Sequence, residues 1–218
     1  MEEKESPKKE EALAVKASGL SPRLFGILKF LLGILILPFV YSTTKSFINE
    51  FSLLESHTQI YFISGVVSFM IIYLFVWEPA AIYRRGQRFV EIIFRFFAPL
   101  VKVAPFVLPI YTLILFLLYL FVSPIYKSQD LINYFVFLLG FSLNLHLVFS
   151  AKSLKTRQSD YLRANYIFGF SFIYIINIFL LCFGLSLLFD KFSFVNFSNS
   201  TYQVATEIFK AIFRQLFL

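Results

Sequence analysis

The chain has 218 residues, of which 58% are hydrophobic and only 15% charged, with 31 Phe among them and a mean hydropathy of +0.75. A chain this apolar cannot wrap itself in polar surface as a water-soluble monomer, which excludes most soluble enzymes, disordered proteins and coiled coils and leaves a polytopic membrane protein. The net charge of +7 then reads as loop charge that orients the spans, not as a nucleic-acid-binding surface.

Residues 1–20 mix Glu2, Glu3, Glu5, Glu10 and Glu11 with Lys4, Lys8, Lys9 and Lys16. The segment has little to bury and is expected to be a disordered tail, and it lacks the pattern of a cleaved signal peptide. Five apolar stretches follow, each near the length a helix needs to cross hydrocarbon. They run over about 24–41, 60–76, 103–122, 131–150 and 166–189. The first is short and carries Lys29, which can snorkel to the interface. The third has Pro105 and Pro109 near its entry. All five are expected to be helices, because strands in lipid would leave backbone groups unpaired.

Loop charges test that count. Lys4, Lys8, Lys9, Lys16 and Arg23 precede the first span, and Lys45 alone separates it from the second. Arg84, Arg85, Arg88, Arg95 and Lys102 lie between the second and third, and Lys127 alone follows the third. Lys152, Lys155, Arg157 and Arg163 lie between the fourth and fifth, with Lys191, Lys210 and Arg214 beyond. The alternation places the N-terminus in the cytoplasm and, for five spans, the C-terminus outside the cell membrane.

Two further stretches are amphipathic. Between Arg84 and Lys102, the residues Arg84, Arg88, Glu91, Arg95 and Lys102 share one helical face, and Phe89, Ile92, Ile93, Phe96 and Phe97 the other. This predicts an interfacial helix up to Pro99, with Glu91 and Arg95 as an i, i+4 pair. Its basic face, Arg84, Arg88, Arg95 and Lys102, is a candidate contact for anionic lipid headgroups. The second stretch is 201–218, where Gln203, Glu207, Lys210 and Arg214 oppose Val204, Ile208, Ala211, Ile212 and Leu216. It is too charged to span, so it should lie at the outer interface or dock on the bundle; Ser200 and Gln203 form a possible capping box at its start.

Polar residues in spans are functional candidates. Glu78 ends the second span beside Trp77 and Pro79; Asn133, Asn144 and His146 lie in the fourth, Asn177 in the fifth. Interhelical hydrogen bonds account for most such residues. His146 shares a face with Ser150 but has no partner His at i+3 or i+4. Cys182 is the one cysteine, so no intrachain disulfide or multi-cysteine metal site can form. There is no HExxH, GxSxG, Walker A or CxxC, so no catalytic residue, metal ligand or cofactor is assigned.

Two stretches carry a resemblance. Ala104 to Tyr111 resembles an APYxxPxY element, and 140–177 contains His146, Gln158-Ser159-Asp160 and Asn177. Together they resemble a bacterial branch of the site-2-protease-like intramembrane zinc metallopeptidases. In that family an HExxH binds zinc and supplies the general base, and a P-x-x-x-Y-x-x-G stretch precedes it. Pro79, Tyr83 and Gly86 fit the latter. The register then puts Gln87, Arg88 and Glu91 on the first ligand, base and second ligand positions. A second register, keeping Glu78 as base, puts Trp77 and Ala81 on the ligand positions. Neither leaves the three protein ligands that a catalytic zinc needs, and Asp160 cannot supply them alone.

The expected fold is an all-α bundle of five transmembrane helices with interfacial amphipathic helices. The resemblance implies a non-catalytic relative of these peptidases that binds a membrane partner or substrate in the ancestral cavity, with Glu78, His146, Gln158, Asp160 and Asn177 as its candidate polar residues. A small transporter or lipid-handling subunit is the alternative, and an active metallopeptidase with unusual ligands the remote one. The expected partners are the lipid bilayer and a membrane protein, with no nucleic acid.

Overall fold

The computed structural model describes residues 22–124, 129–156 and 164–217, and among them the fold is all-α, without a strand. In chain order the helices are α1 (Pro22–Leu35), α2 (Leu37–Phe51), α3 (Ser56–Ile71), α4 (Ala80–Ile93), α5 (Ala98–Val107), α6 (Ile110–Val122), α7 (Gln129–Thr156), α8 (Ala164–Leu188) and α9 (Phe194–Phe217). A π-helical turn, Ile72–Val76, ends α3 and releases the chain in extended form at Trp77. The tail at 1–20 lies outside the described residues.

Four helical stretches are long and apolar enough to cross a membrane: Phe30–Phe51, Ser56–Val76, Asp130–Lys155 and Tyr166–Leu188, with Ile110–Val122 a shorter apolar helix. The distribution of residues on them suits lipid. Ile60, Ile63, Val67, Ile71 and Leu74 face outward, while Ser42, Ser46, Thr112, Ser142, His146 and Asn177 are buried. In lipid, small polar side chains hold helices together from inside, and apolar ones meet the acyl chains.

α3 and α7 make the most extensive helix pair. They run parallel, as the bond from Asn144 Nδ2 to the Val66 carbonyl (3.2 Å) and the Tyr73–Phe149 ring contact one level further along establish. The pair closes on two glycines. A Cβ at Gly65 would run into the Phe137 carbonyl, and one at Gly140 into that of Phe62. Small residues let backbones approach and gain van der Waals contact, the main attraction available between helices in lipid. Around this pair, Phe51, Leu54, Phe62, Phe116, Leu139, Leu181, Leu185 and Phe197 form the main core.

Several boundaries differ from the sequence expectation. The first span does not stop near Tyr41. Helix continues to Phe51, because Ser42, Thr43, Ser46 and Glu50 are buried against neighbouring helices and do not mark the end of the hydrocarbon. The third span is broken at Leu108 and Pro109, where proline cannot donate a helical hydrogen bond and its ring obstructs the preceding turn. The interfacial helix ends at Ile93 in a turn at Phe94–Phe96, and the chain re-enters helix at Ala98. Arg95 therefore lies beyond the helix that carries Glu91, and among the described residues the two form no ion pair.

The C-terminal helix starts at Phe194, seven residues before the expected 201. Its cap is Ser193, whose Oγ accepts the Asn196 N–H at 3.2 Å. Ser200, taken from the sequence as a cap, sits inside the helix and receives a hydrogen bond from Ser46 Oγ at 2.9 Å. α9 docks along α2 in antiparallel fashion. Ser193 N–H meets Glu50 Oε2 at 3.3 Å, Ser46 meets Ser200, and the Phe39 and Phe209 rings lie 5.3 Å apart. The chain end is thus carried back toward the α1 end of the bundle, whereas five crossings alone would leave it at the far end.

Candidate functional site

α4 has three faces. Tyr83, Gly86 and Val90 are buried against the bundle. Phe89, Ile92 and Ile93 are exposed on a second face, and Arg84, Arg88 and Glu91 are exposed on a third. Such a helix fits the boundary between bundle, lipid and water. Its docking is tight at Gly86, where a Cβ would lie 2.8 Å from the Tyr111 ring and 2.9 Å from Ile110. Tyr111 Oη donates to the Ile82 carbonyl at 2.7 Å. Pro79–Gly86, which fits the P-x-x-x-Y-x-x-G spacing, and Ala104–Tyr111 are thereby packed on each other.

Where α4 meets the ends of α3 and α7, a cavity of about 360 Å³ is lined by Glu78, Tyr83, Arg84, Gln87, Lys152 and Ser153, with Phe106 and Phe149 as its apolar walls. Glu78 and Lys152 form an ion pair at its mouth, both about half exposed. A pair that wet adds little to stability, because solvent screens it. Its charges remain available to a ligand.

A hydrogen-bonded chain forms the floor. Gln87 Nε2 donates to Tyr83 Oη (3.2 Å), Tyr83 Oη lies 3.1 Å from Ser150 Oγ, and Ser150 Oγ donates to the Phe106 carbonyl at 3.1 Å. Each hydroxyl has one proton, so Tyr83 donates to Ser150 and Ser150 to Phe106. His146 Nε2 lies 3.2 Å from the same carbonyl and 3.3 Å from Ser150 Oγ. A carbonyl only accepts, which assigns the ring proton to Nε2.

The helix break takes this carbonyl away from its ordinary helical donor. Ile110 N–H, its helical partner, bonds instead to the Leu108 carbonyl. The next carbonyl, Val107, accepts from Asn177 Nδ2 at 2.9 Å, and the same amide also donates to Ile173 at 2.8 Å. His146, Ser150 and Asn177 thus satisfy backbone that a broken helix exposes inside a bundle, where an unpaired carbonyl is costly. Asn177 Oδ1 is buried without a partner among the described residues.

The sequence candidates therefore divide. Glu78, Arg84 and Gln87 meet in the cavity, and His146 lies just beneath it. Arg88, Glu91 and Arg95 are exposed outside the cavity lining. Asn177 serves the helix break from α8. Lys102 lies on α5, but its side chain, like Gln158 and Asp160, lies outside the described residues. Among the described residues, no three His, Cys, Asp or Glu side chains are grouped where they could hold a metal ion.

Two cavity residues were not legible as such. Lys152 reads as a loop charge, and only the parallel pairing of α3 with α7 brings it to Glu78. Tyr83 stands out only through the peptidase-like spacing. Comparison with family models, with curated proteins and with solved structures gives no match.

Proposed function

We propose that this integral membrane protein is non-catalytic and binds an anionic group, presented by a lipid or by a membrane partner, in the cavity between α4, α5 and α7. The observation that carries this reading is the convergence of Arg84, Lys152 and Gln87 on one cavity with Ser153 beside them. Two cations and an amide at the water-facing end of a bundle suit a phosphate or carboxylate, and charge-assisted bonds are the strong ones. The cluster Arg84, Arg85, Arg88 and Arg95 supports a cytoplasmic position for this end. Descent from the site-2-protease-like peptidases belongs to the same proposal, and the mutual packing of the two motif stretches supports it.

Trp77 is the sole tryptophan and neighbours Glu78 at the cavity, so it reports occupancy. Purified protein titrated with short-chain phosphatidylglycerol should show a saturable change in Trp77 emission, absent with phosphatidylcholine. Titration with inorganic phosphate distinguishes a free anion from a lipid headgroup. Equal responses to anionic and zwitterionic lipid would overturn the reading.

A second reading, a small transporter, is favoured by the break at Leu108 and Pro109, which lies directly beyond the cavity floor. Broken helices at membrane depth recur around transport sites. Anion flux into proteoliposomes that tracks Arg84→Gln would favour it over simple binding.

A further inference from the structure

α9 has more charge and amide than a spanning helix ordinarily tolerates, yet it is packed where spanning helices are. It runs back along α2, part of the stretch Phe30–Phe51 that is long and apolar enough to cross a membrane. Phe194 and Phe197 also meet Phe179 of α8 edge to face, with ring centroids 6.1 and 4.9 Å away. Twenty-four residues of helix cover about 36 Å, the thickness of the hydrocarbon core and more. The loop charges agree with a full return. If α9 crosses back, Lys210 and Arg214 join the cytoplasmic charges and Lys191 alone remains on the outer side of that turn.

One face of this helix is unpartnered. Asn196, Asn199, Gln203, Glu207 and Lys210 recur at intervals of three and four residues, and all are exposed. Their side chains form no hydrogen bond or ion pair with the described residues. Amides and charges at that depth are not left facing acyl chains. Copies of one chain in one membrane share an orientation, so two α9 helices meet in parallel, about an axis along the membrane normal, with like residues at like depth. The stripe is complementary to itself in that arrangement. Asn and Gln amides each carry donor and acceptor, so Asn196, Asn199 and Gln203 can pair with their own copies, a known specifier of parallel helix dimers. Glu207 of one copy lies one turn from Lys210 of the other, and symmetry repeats the pair. Exposed Val195, Tyr202 and Phe213 flank the stripe and supply packing.

We propose that α9 crosses back through the membrane and that its polar stripe is the interface of a parallel two-fold dimer of this chain. The inference is independent of what the cavity binds. Its test uses single cysteines in native membranes, where buried Cys182 leaves the unmodified protein as an uncrosslinked control. Asn196→Cys, Asn199→Cys, Gln203→Cys and Lys210→Cys should form disulfide-linked species at twice the 25.4 kDa chain mass. Ala205→Cys, on the buried face, should not. The unsubstituted protein should run as a dimer in lipid nanodiscs, and a C-terminal reporter active only in the cytoplasm should be active. A monomer in nanodiscs, crosslinks without that spacing, or crosslinks only to a chain of another mass would each overturn the dimer. A C-terminus found outside would overturn the return crossing.

Discussion

The two ends of the bundle solve the same packing problem by different means. Toward the α2–α3 turn, Phe51, Leu54 and Phe62 interdigitate with Val136, Leu139, Leu181 and Leu185 in a core of side chains without charge. Toward α4, the smaller cluster of Phe69, Tyr83, Leu145 and Phe149 shares its space with Gln87, Ser150 and His146 and with the carbonyls freed by the helix break. The first end is held chiefly by shape, with the Glu50–Ser193 hydrogen bond at its edge, so close approach decides its stability. The second is held by a hydrogen-bond inventory, and there an unsatisfied group decides it. The opening that gathers two cations with an amide lies at the second end, whereas the one at the first end, lined by Glu55, Thr58, Asp190 and Lys191, sets two carboxylates against one cation.

The comparison breaks most completely at the glycines. Gly65→Val and Gly140→Val each drive a side chain into the backbone of the facing helix, and neither backbone can yield without separating α3 from α7. The expected loss is about 3 kcal/mol or more, read as disappearance of monodisperse protein in gentle detergent. Gly169→Ala is the control, since its nearest neighbours are Leu154 methyls in ordinary contact, at 3.6 and 3.7 Å. Retention of wild-type melting by Gly65→Val would show that the α3–α7 approach does not carry the fold.

The polar end breaks less sharply. Asn177→Leu removes the amide that donates to the part-buried Val107 carbonyl, and His146→Leu removes one donor from the Phe106 carbonyl. The expected costs are about 1–3 kcal/mol for Asn177→Leu and about 1 kcal/mol for His146→Leu, measured as shifts in thermal unfolding in nanodiscs. The order is the informative part. If His146 were a ligand-binding group and not a backbone partner, His146→Leu would spare stability and abolish the Trp77 response instead. Metal content belongs to the same test: one zinc per purified chain would overturn the non-catalytic reading.

How much of this was readable beforehand follows from where each signal resides. The helices and the apolar exterior are local properties of composition, so the all-α class was legible. The end of the first span was not, because Ser42, Thr43, Ser46 and Glu50 look like the start of a loop until α9 is seen lying against them. Pro105 and Pro109 announce a disturbance in the third span. They do not announce that His146 and Asn177, on two other helices, repair it. Arg84 and Gln87 were visible on their amphipathic helix. Their cavity was not, since Lys152 reaches Glu78 only through a pairing 74 residues apart in sequence that no local periodicity encodes.

The smallest expected effect is the one most specific to function. Arg84→Gln and Lys152→Gln remove cations from a wet cavity mouth, where neither supports the core. The thermal unfolding midpoint in nanodiscs should stay close to that of the unsubstituted protein. Affinity for short-chain phosphatidylglycerol should fall roughly tenfold for Arg84→Gln, the equivalent of ~1.4 kcal/mol and the lower end of what a charge-assisted bond to an anion supplies. Lys152→Gln also frees Glu78, whose carboxylate then faces the incoming anion, so its loss should exceed that of Arg84→Gln. The double change Glu78→Gln with Lys152→Gln separates the two contributions. It lacks the cation but also lacks the repelling carboxylate, and it should bind more tightly than Lys152→Gln alone. Equal affinities for those two variants would mean that Glu78 does not face the bound group, and the cavity mouth would have to be drawn on the Arg84 side alone.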